Sequence, residues 1–557
     1  MPTLFERIAA RIAFVHARRT YQRFLESLRR VDATQQRVLE RVLSLTGRSG
    51  FGRRHGLASV RSLGELKRAA PLTRYEDLRP YIDRLRQGDM SALFSPGQRL
   101  LMFATSSGTT ARPKFIPVTP EFVRDYRRGW NTFGLKMLSD HPPAVMRAIL
   151  QSSSRHDQSH TPAGIPCGAI TGLMARMQKG IVRRFYVGSA DIARIPDPRA
   201  RYYTLMRCGI VRDVAFAITA NPATLIRMAQ TANEERETLI RDVHDGTLSA
   251  EVVADEALRK RVEAGLKPDP ARGRALADLA AREAELRPRD YWQLEFVACW
   301  TGGSMGHYLP RLASWYGNLP VRDVGLLASE GRVSIPLEDD TAAGVLDVQS
   351  AVFEFIPVER WEEAEPETLP PRELEIGRDY AVVLSNTAGL IRYRLDDVVR
   401  VRGWVEQAPL VEFLYRAGRV ASVAGEKLTE NQVVAAVRAA CHKVGLTELE
   451  FVMAPRWADP PRYRLTCSGA SPAGLAEALD AALGEQNDEY RSRRKSLRLG
   501  PLQIRTVAAE LIARMDRELL ATRGSTAEQY KRPCLFTRPG EDDEALGLAA
   551  EGSVKRT

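Results

Sequence analysis

Residues 99–119 read RLLMFATSSGTTARPKFIPVT. A short apolar run, RLLMFAT, gives way at once to a polar, glycine-bearing stretch, and FIPVT followed by PEFVRDYRRGW returns to a strand and then a helix. A loop of this composition between a strand and a helix exposes backbone N–H groups, adds hydroxyl donors from Ser106, Ser107, Thr109 and Thr110, and ends on the cation Lys114. Such a loop can hold phosphates that otherwise repel one another. It is not the P-loop of NTPases, because the spacing G-x-x-x-x-G-K-[ST] is missing. A polar surface loop has the same composition, and these residues alone leave both readings open.

Outward from this stretch, short apolar runs alternate with helical ones. VMRAILQSS, DVAFAITANPATLIRMAQ, DVGLLASEG, VFEFIPV and DYAVVLSN are read as strands or strand–helix pairs, which implies an α/β fold with ligand loops at strand ends. Ahead of it, the first 45 residues carry an apolar stripe through Ile12, Val15, Tyr21, Phe24 and Leu28, expected as one or two helices laid on the body. SLGELKRAA and TRYEDLRPYIDRL are expected as scaffold helices. The acidic, proline-rich segment from Trp361 to Gly377 reads as a surface excursion. Beyond the 405–428 region, Thr429 opens a helix, ELEFVMAP and RYRLTCSG read as strands, and TVAAELIARMDRELLAT reads as a last helix, making a smaller α+β unit.

The whole chain sets bounds on these readings. At 557 residues it exceeds one ordinary core, so at least two domains are expected. Apolar residues at 44% and charged residues at 27% suit a folded protein. No run approaches the roughly 18 apolar residues of a membrane span, and the arginine-studded N-terminus does not read as a secretory signal; a cytoplasmic protein without stable membrane insertion is expected. The six cysteines are far apart with no metal-ligand spacing. A net charge of +12, with arginines set among glutamates in helical patterns, is modest for this length, and no reading helix or aromatic-basic stripe points to nucleic acid.

Three further stretches bear on chemistry. In Leu327-Ala328-Ser329-Glu330-Gly331, a hydroxyl and a carboxylate follow a strand, a pairing suited to a phosphate and to Mg²⁺, although Ser-Glu in a loop is weak by itself. In SNTAGLIRYRLDD, residues 385–397, an aspartate can accept from ribose hydroxyls and Tyr393 can close an apolar wall; equally, Tyr393 can be core and Asp396/Asp397 a solvated turn. In CWTGGSMGHY, residues 299–308, glycines permit close backbone approach to a ligand, or simply a tight turn, and His307 is a lone candidate base.

Together, SSGTTARPK with FIPVT, LASEG, YRLDD, Gly425-Glu426-Lys427 and the terminal Gln529-Tyr530-Lys531-Arg532-Pro533 resemble, in order and over nearly the full chain, the GH3 family of the adenylate-forming superfamily. The resemblance implies a large multi-sheet N-terminal domain, residues 1–420, carrying acyl and nucleotide sites, and a smaller mobile α+β domain, residues 421–557, carrying the catalytic lysine. It implies an ATP-dependent acyl acid-amido synthetase, in which a small carboxylic acid becomes an acyl-adenylate and passes to an amino acid or other amine, with Mg²⁺ as cofactor and a monomeric chain. Ser106, Ser107, Gly108, Thr109, Thr110 and Lys114 are implied as the phosphate loop, with Ser329 at the α-phosphate and Glu330 at the metal. Tyr393, Asp397 and Arg416 (or Arg419) are implied at the nucleotide, Thr301 and Gly302 at the acyl pocket, and Lys531 as the catalytic lysine. Transfer to coenzyme A or a carrier thiol, and a nucleotide-binding regulatory protein without turnover, are the alternatives. Two departures stand out: Ala111 and Asp396 each occupy a place where the family has glycine. Because adjacent carboxylates repel, Asp396 is expected to point outward.

Overall fold

The computed structural model describes residues 18–106, 113–178, 180–188, 190–417, 420–469, 471–522 and 532–548. Near the N-terminus, Phe24 and Leu28 of the expected stripe are buried in the main core, and the helices Val31–Thr46, Leu63–Ala69 and Tyr75–Arg86 pack around them. Strand Met102–Ser106 then pairs antiparallel with Lys114–Val118, register Met102↔Val118 to Ser106↔Lys114, so the glycine-bearing loop springs from a closed hairpin. Thr119 follows the second strand and caps the helix Pro120–Asp140: its hydroxyl accepts from the Phe122 N–H at 3.0 Å and donates to the Thr387 carbonyl at 2.9 Å. Proline directly after the cap fits the first helical turn, where no N–H partner is needed.

Among the described residues, three larger sheets and a two-stranded ribbon form the large body. The hairpin belongs to a four-stranded sheet with Pro166–Gly168 and Ser159–His160. A parallel sheet runs Ala148–Gln151, Val214–Ile218, Phe296–Cys299, Val321–Asp323, with helices between successive strands as parallel connection requires. The largest sheet has six strands, in the order Ser334–Ile335, Ala343–Leu346, Ala408–Arg416, Tyr393–Val405, Asp379–Asn386, Ala351–Pro357, and it is antiparallel throughout. The alternation of strands with longer helices is plainest in the parallel sheet. The excursion after Trp361 keeps its glutamates in water but is anchored: Trp361 lies under the Arg394 guanidinium at 3.6 Å, and buried Thr368 donates to Glu354 at 2.5 Å.

Residues from Ala421 to Leu535 contribute to a separate core around the sheet Phe451–Arg456, Arg462–Ser468, Gln503–Val507. Its first helix, Glu430–Lys443, starts at Thr429 through a reciprocal cap with Gln432. The chain enters this unit through a turn in which the buried Glu426 carboxylate accepts from the N–H groups of Val423 and Ala424 at 2.8 and 2.7 Å. Among the described residues, no helix is long and apolar enough to cross a membrane.

Candidate functional site

The third motif lies on the strand Tyr393–Val405, and its neighbours decide where its side chains go. Pairing with Asp379–Asn386 runs regularly through Arg394↔Val383 and resumes at Val398↔Ala381, so residues 395–397 stand opposite Val382 alone. Asp396 takes up the extra length with φ +67°, a left-handed conformation in which a side chain is crowded. A glycine, which the resemblance places here, would adopt this conformation without that crowding. Asp397, directly after it, faces Arg416 across the sheet in register, and the Arg416 Nε donates to Asp397 Oδ1 at 3.0 Å.

The outward orientation expected for Asp396 is not observed. Asp396 is half-buried, and its carboxyl lies in the fields of Lys114, Arg416 and Arg74. Desolvation pushes its pKa up, opposed by those three cations and reinforced by Asp397. The three cations oppose the repulsion from Asp397 without cancelling the cost of desolvation.

Glu330 reaches the same place from another element. The two-residue strands Leu327–Ala328 and Gly331–Arg332 pair as a ribbon with Ser329 and Glu330 at its tip, both buried. The Asn386 amide donates to the Glu330 carbonyl at 2.5 Å and so ties this tip to the six-stranded sheet. The Tyr393 hydroxyl points at Glu330 Oε1, 3.4 Å away, and accepts from Lys114 Nζ at 3.2 Å. Burial first, then the charges of Glu330 and Asp396, push the Tyr393 pKa well up, which keeps the phenol protonated. Arg416 feels Asp397, Glu330 and Asp396 together, and these carboxylates outweigh its burial and raise its pKa. Lys114, Glu330, Tyr393, Asp397 and Arg416 are thus gathered into one cluster from a hairpin, a ribbon and two sheet strands.

Sequence reasoning missed three members of this neighbourhood. Tyr75, placed among scaffold helices, accepts from the Phe115 N–H at 2.8 Å and lies 5.8 Å from Lys114 Nζ at its ring centre. Asn386 was visible in SNTAGL but carried no role there. Asp323 binds the turn at Thr301: its Oδ2 accepts from the Thr301 N–H at 2.6 Å and the hydroxyl at 2.7 Å. Only the aromatic side of TRYEDLRPY gave any local hint of Tyr75.

The glycines beside Thr301 serve a close approach of backbone. A Cβ on Gly302 would sit 3.1 Å from the Phe413 carbonyl, and one on Gly303 2.7 Å from the Leu414 carbonyl, so these glycines admit the strand Ala408–Arg416. Ser106 ends its strand, with Lys114 opposite. Its side chain, Ser107, Gly108, Thr109, Thr110, Ala111, Arg419, Lys531 and the His307 side chain lie outside the described residues. Arg532, directly after Lys531, is described: it pairs with Asp516 at 2.9 Å and approaches Glu450, which also binds Arg311 of the large body at 3.1 Å.

The donor set around Glu330 suits a Mg²⁺ ion. A buried carboxylate supplies a hard oxygen of the kind that Mg²⁺ takes.

Known proteins resemble this chain over nearly its whole length. The sequence profile of the GH3 family N-terminal domain matches residues 20–321, more than half the chain; those of the central and C-terminal domains match 344–416 and 431–540. The chain is 28% identical over 548 residues to jasmonoyl–L-amino acid synthetase GH3.5 of Oryza sativa subsp. japonica, covering 90% of this chain and 91% of that protein. It is 27% identical over 580 residues to the probable indole-3-acetic acid-amido synthetase GH3.1 of the same organism, covering 97% and 93%. The solved structure of the GH3.15 acyl acid amido synthetase superposes with a TM-score of 0.82 at 22% identity, covering 95% of each chain, and so shares the fold. With three consecutive domain profiles matched in order and a shared architecture of large N-terminal and smaller C-terminal domains, the chain belongs to the GH3 family, within the adenylate-forming ligases.

Proposed function

We propose that the protein is an ATP-dependent acyl acid-amido synthetase, which activates a carboxylic acid as its acyl-adenylate and transfers the acyl group to an amino acid amine. The observation that carries this reading is the cluster in which Asp397, Arg416, Glu330, Tyr393 and Lys114 meet. It combines a ribose acceptor, two cations for phosphate charge and a buried carboxylate for a metal. The relatives named as an L-amino acid synthetase and an amido synthetase favour the amine over a thiol as acceptor.

A carboxylate resists direct attack by an amine because its leaving group is poor. In the proposed first step an acid oxygen attacks the α-phosphorus of ATP, and the bond to pyrophosphate breaks. Ser106, Ser107, Gly108, Thr109, Thr110 and Lys114 hold phosphate oxygens, Ser329 faces the α-phosphate, and Asp397 accepts from the ribose hydroxyls. Tyr393 closes the wall and orients Glu330, whose carboxylate would hold Mg²⁺. The ion, when bound, offsets phosphate charge. Lys531, carried by the residue 421–557 domain, steadies the charge that grows in the transition state. Rotation about the region before Lys427 then opens the side of Thr301 and Gly302 to the amine, whose nitrogen attacks the acyl carbon, loses a proton and expels AMP.

Carboxylate-dependent exchange of labelled pyrophosphate into ATP, measured with Mg²⁺ across aromatic and aliphatic acids from benzoate to decanoate, tests the first step. Exchange with at least one acid is expected. Amide formation with amino acids, followed by mass, tests the second, and acyl transfer to coenzyme A without amide formation would overturn the amine assignment. Absence of both exchange and ATP binding would overturn the whole reading.

A further inference from the structure

In-line attack needs the acid and the α-phosphate held in one fixed relation, yet the elements assigned to them lie on different strands. Thr301 follows Phe296–Cys299; Ser329 and Glu330 sit at the tip of the ribbon that follows Val321–Asp323. Both strands are parallel neighbours, paired from Val297↔Val321 to Cys299↔Asp323, and both end at the same edge. In such sheets ligands gather outside the carboxyl ends of the strands.

Asp323 is the last residue of its strand and is 3% exposed. One oxygen, Oδ2, accepts from Thr301 N–H at 2.6 Å and from its hydroxyl at 2.7 Å; the other, Oδ1, accepts from the Gly325 N–H at 2.6 Å. Gly325 is pinned from its other side as well, because the Trp300 indole donates to its carbonyl at 2.8 Å. At φ +85°, with a Cβ that would lie 2.4 Å from the Ser334 carbonyl, the position takes only glycine. The segment beyond it is drawn closed by Arg332, whose Nη1 donates to the carbonyls of Val324 at 3.2 Å and Ser334 at 3.1 Å, and by the Leu326 N–H donating to Ser334 Oγ at 3.0 Å. One carboxylate therefore references both the Thr301 turn and the base of the Ser329–Glu330 ribbon.

We propose that Asp323 is a positioning residue for adenylation, a clasp that aligns the acid-side turn at Thr301 with the phosphate- and metal-side tip at Ser329 and Glu330. This rests on the function proposed above. The three donors face a group that must accept on both oxygens, and burial, which disfavours the charge, is opposed by these same hydrogen bonds. Asparagine preserves the shape but presents N–H to one of the donors, so either Gly325 or the Thr301 amide loses its acceptor.

The test uses the full-length enzyme and, as probe, whichever acid in the benzoate-to-decanoate panel gives the highest wild-type pyrophosphate exchange. Asp323→Asn is expected to raise the KM for that acid about tenfold while the KM for ATP moves less than about twofold. Loss of folded fraction alone would lower kcat and leave both KM values in place, and that outcome overturns the proposal. Thr301→Val, which removes one hydroxyl and leaves the buried carboxylate its two amide donors, is expected to raise the acid KM by about threefold, and Thr301→Ser to restore it. In the double variant the two effects are expected not to multiply, since both act through one clasp; full multiplication overturns the proposal. A wild-type chain with neither exchange for any acid nor ATP binding overturns the functional reading, and this role with it, whereas wild-type exchange with an unchanged Asp323→Asn variant overturns this role alone.

Discussion

The nucleotide cluster and the seam between the large body and the C-terminal unit both rest on arginine–carboxylate pairs, but they are built differently. Asp397 and Arg416 are opposite each other on neighbouring strands, so their 3.0 Å contact is set by sheet register, with the Asp397 side chain only 6% exposed. At the seam, Arg311 reaches Glu450 at 3.1 Å and Glu448 at 3.7 Å, Arg532 shares Glu450 at 4.0 Å, and Arg438 donates to the Gly306 carbonyl at 2.5 Å. Here Arg311 and both glutamates are each a quarter to a third exposed. The first arrangement persists for as long as the sheet does. The second is made of contacts that water can replace at small cost, which is what a part proposed to rotate between half-reactions requires.

The largest effect separates what each region contributes to chemistry. Glu330→Gln, in the cluster, and Lys531→Ala, in the proposed moving part, are each expected to lower pyrophosphate exchange by about 100-fold or more. Lys531→Ala is expected to leave ATP binding intact, measured by calorimetry. Unchanged exchange in Lys531→Ala, with loss in Lys427→Ala, would instead place the operative cation at the domain entry.

Next comes the permanence of the cluster itself. Arg416→Ala strips the partner from a carboxylate buried in the sheet and is expected to cost about 2 kcal/mol of stability in denaturant titration. It should also raise the KM for ATP, because Asp397 loses the contact that aims it. A variant as stable as the parent would mean that the pairing in register contributes nothing to this site.

A smaller and pH-dependent effect belongs to Asp396. Its folded pKa is raised, chiefly by desolvation, so the native state holds the proton more tightly than the unfolded chain does. Stability from this group is therefore full below the unfolded value of 3.8 and falls as pH climbs through the raised folded value. Asp396→Asn, which keeps a residue tolerant of positive φ, is expected to be more stable than the parent at neutral pH by about 0.5 kcal/mol and equal to it at the acid end. A constant difference across pH would assign the strain to the backbone at φ +67° and not to the charge.

How much of this was legible follows from which interactions are local. The Thr429 cap and its Gln432 partner are three residues apart and could be read directly. Tyr393 and Asp397 were legible as a motif, since spacing along one strand is what sequence records. Asp396 was not: two adjacent carboxylates suggest that one faces water, but the bulge at 395–397 and cations from Lys114, Arg416 and Arg74 are assembled by the fold. Asp323 lies 22 residues from Thr301, in a stretch, VRDVGLLASEG, where a lone aspartate before the Ser-Glu pair has nothing to mark it. The glycines at 302 and 303 were legible as sites of close approach, but not what approaches, because strand Ala408–Arg416 arrives from more than a hundred residues away.

The smallest expected effect tests the seam. Arg311→Ala removes the large-body half of a shared, part-exposed ion pair, and its cost to global stability is expected to stay below about 1 kcal/mol. Its signature lies elsewhere. If the Arg311–Glu450–Arg532 chain holds the C-terminal unit in the arrangement described, the variant shifts the balance of arrangements without touching the cluster, so the ratio of amide formation to pyrophosphate exchange should change while ATP affinity does not. Salt should do the same to the parent, because charges this exposed are screened within roughly 10 Å at 0.1 M ionic strength, whereas the Asp397–Arg416 pair, held by register in the sheet, should be far less sensitive. A parent whose two half-reactions respond alike to salt, and an Arg311→Ala variant with an unaltered ratio, would mean that the seam is set by the packing around Gly306 and the helix Glu430–Lys443, with its ion pairs as passengers.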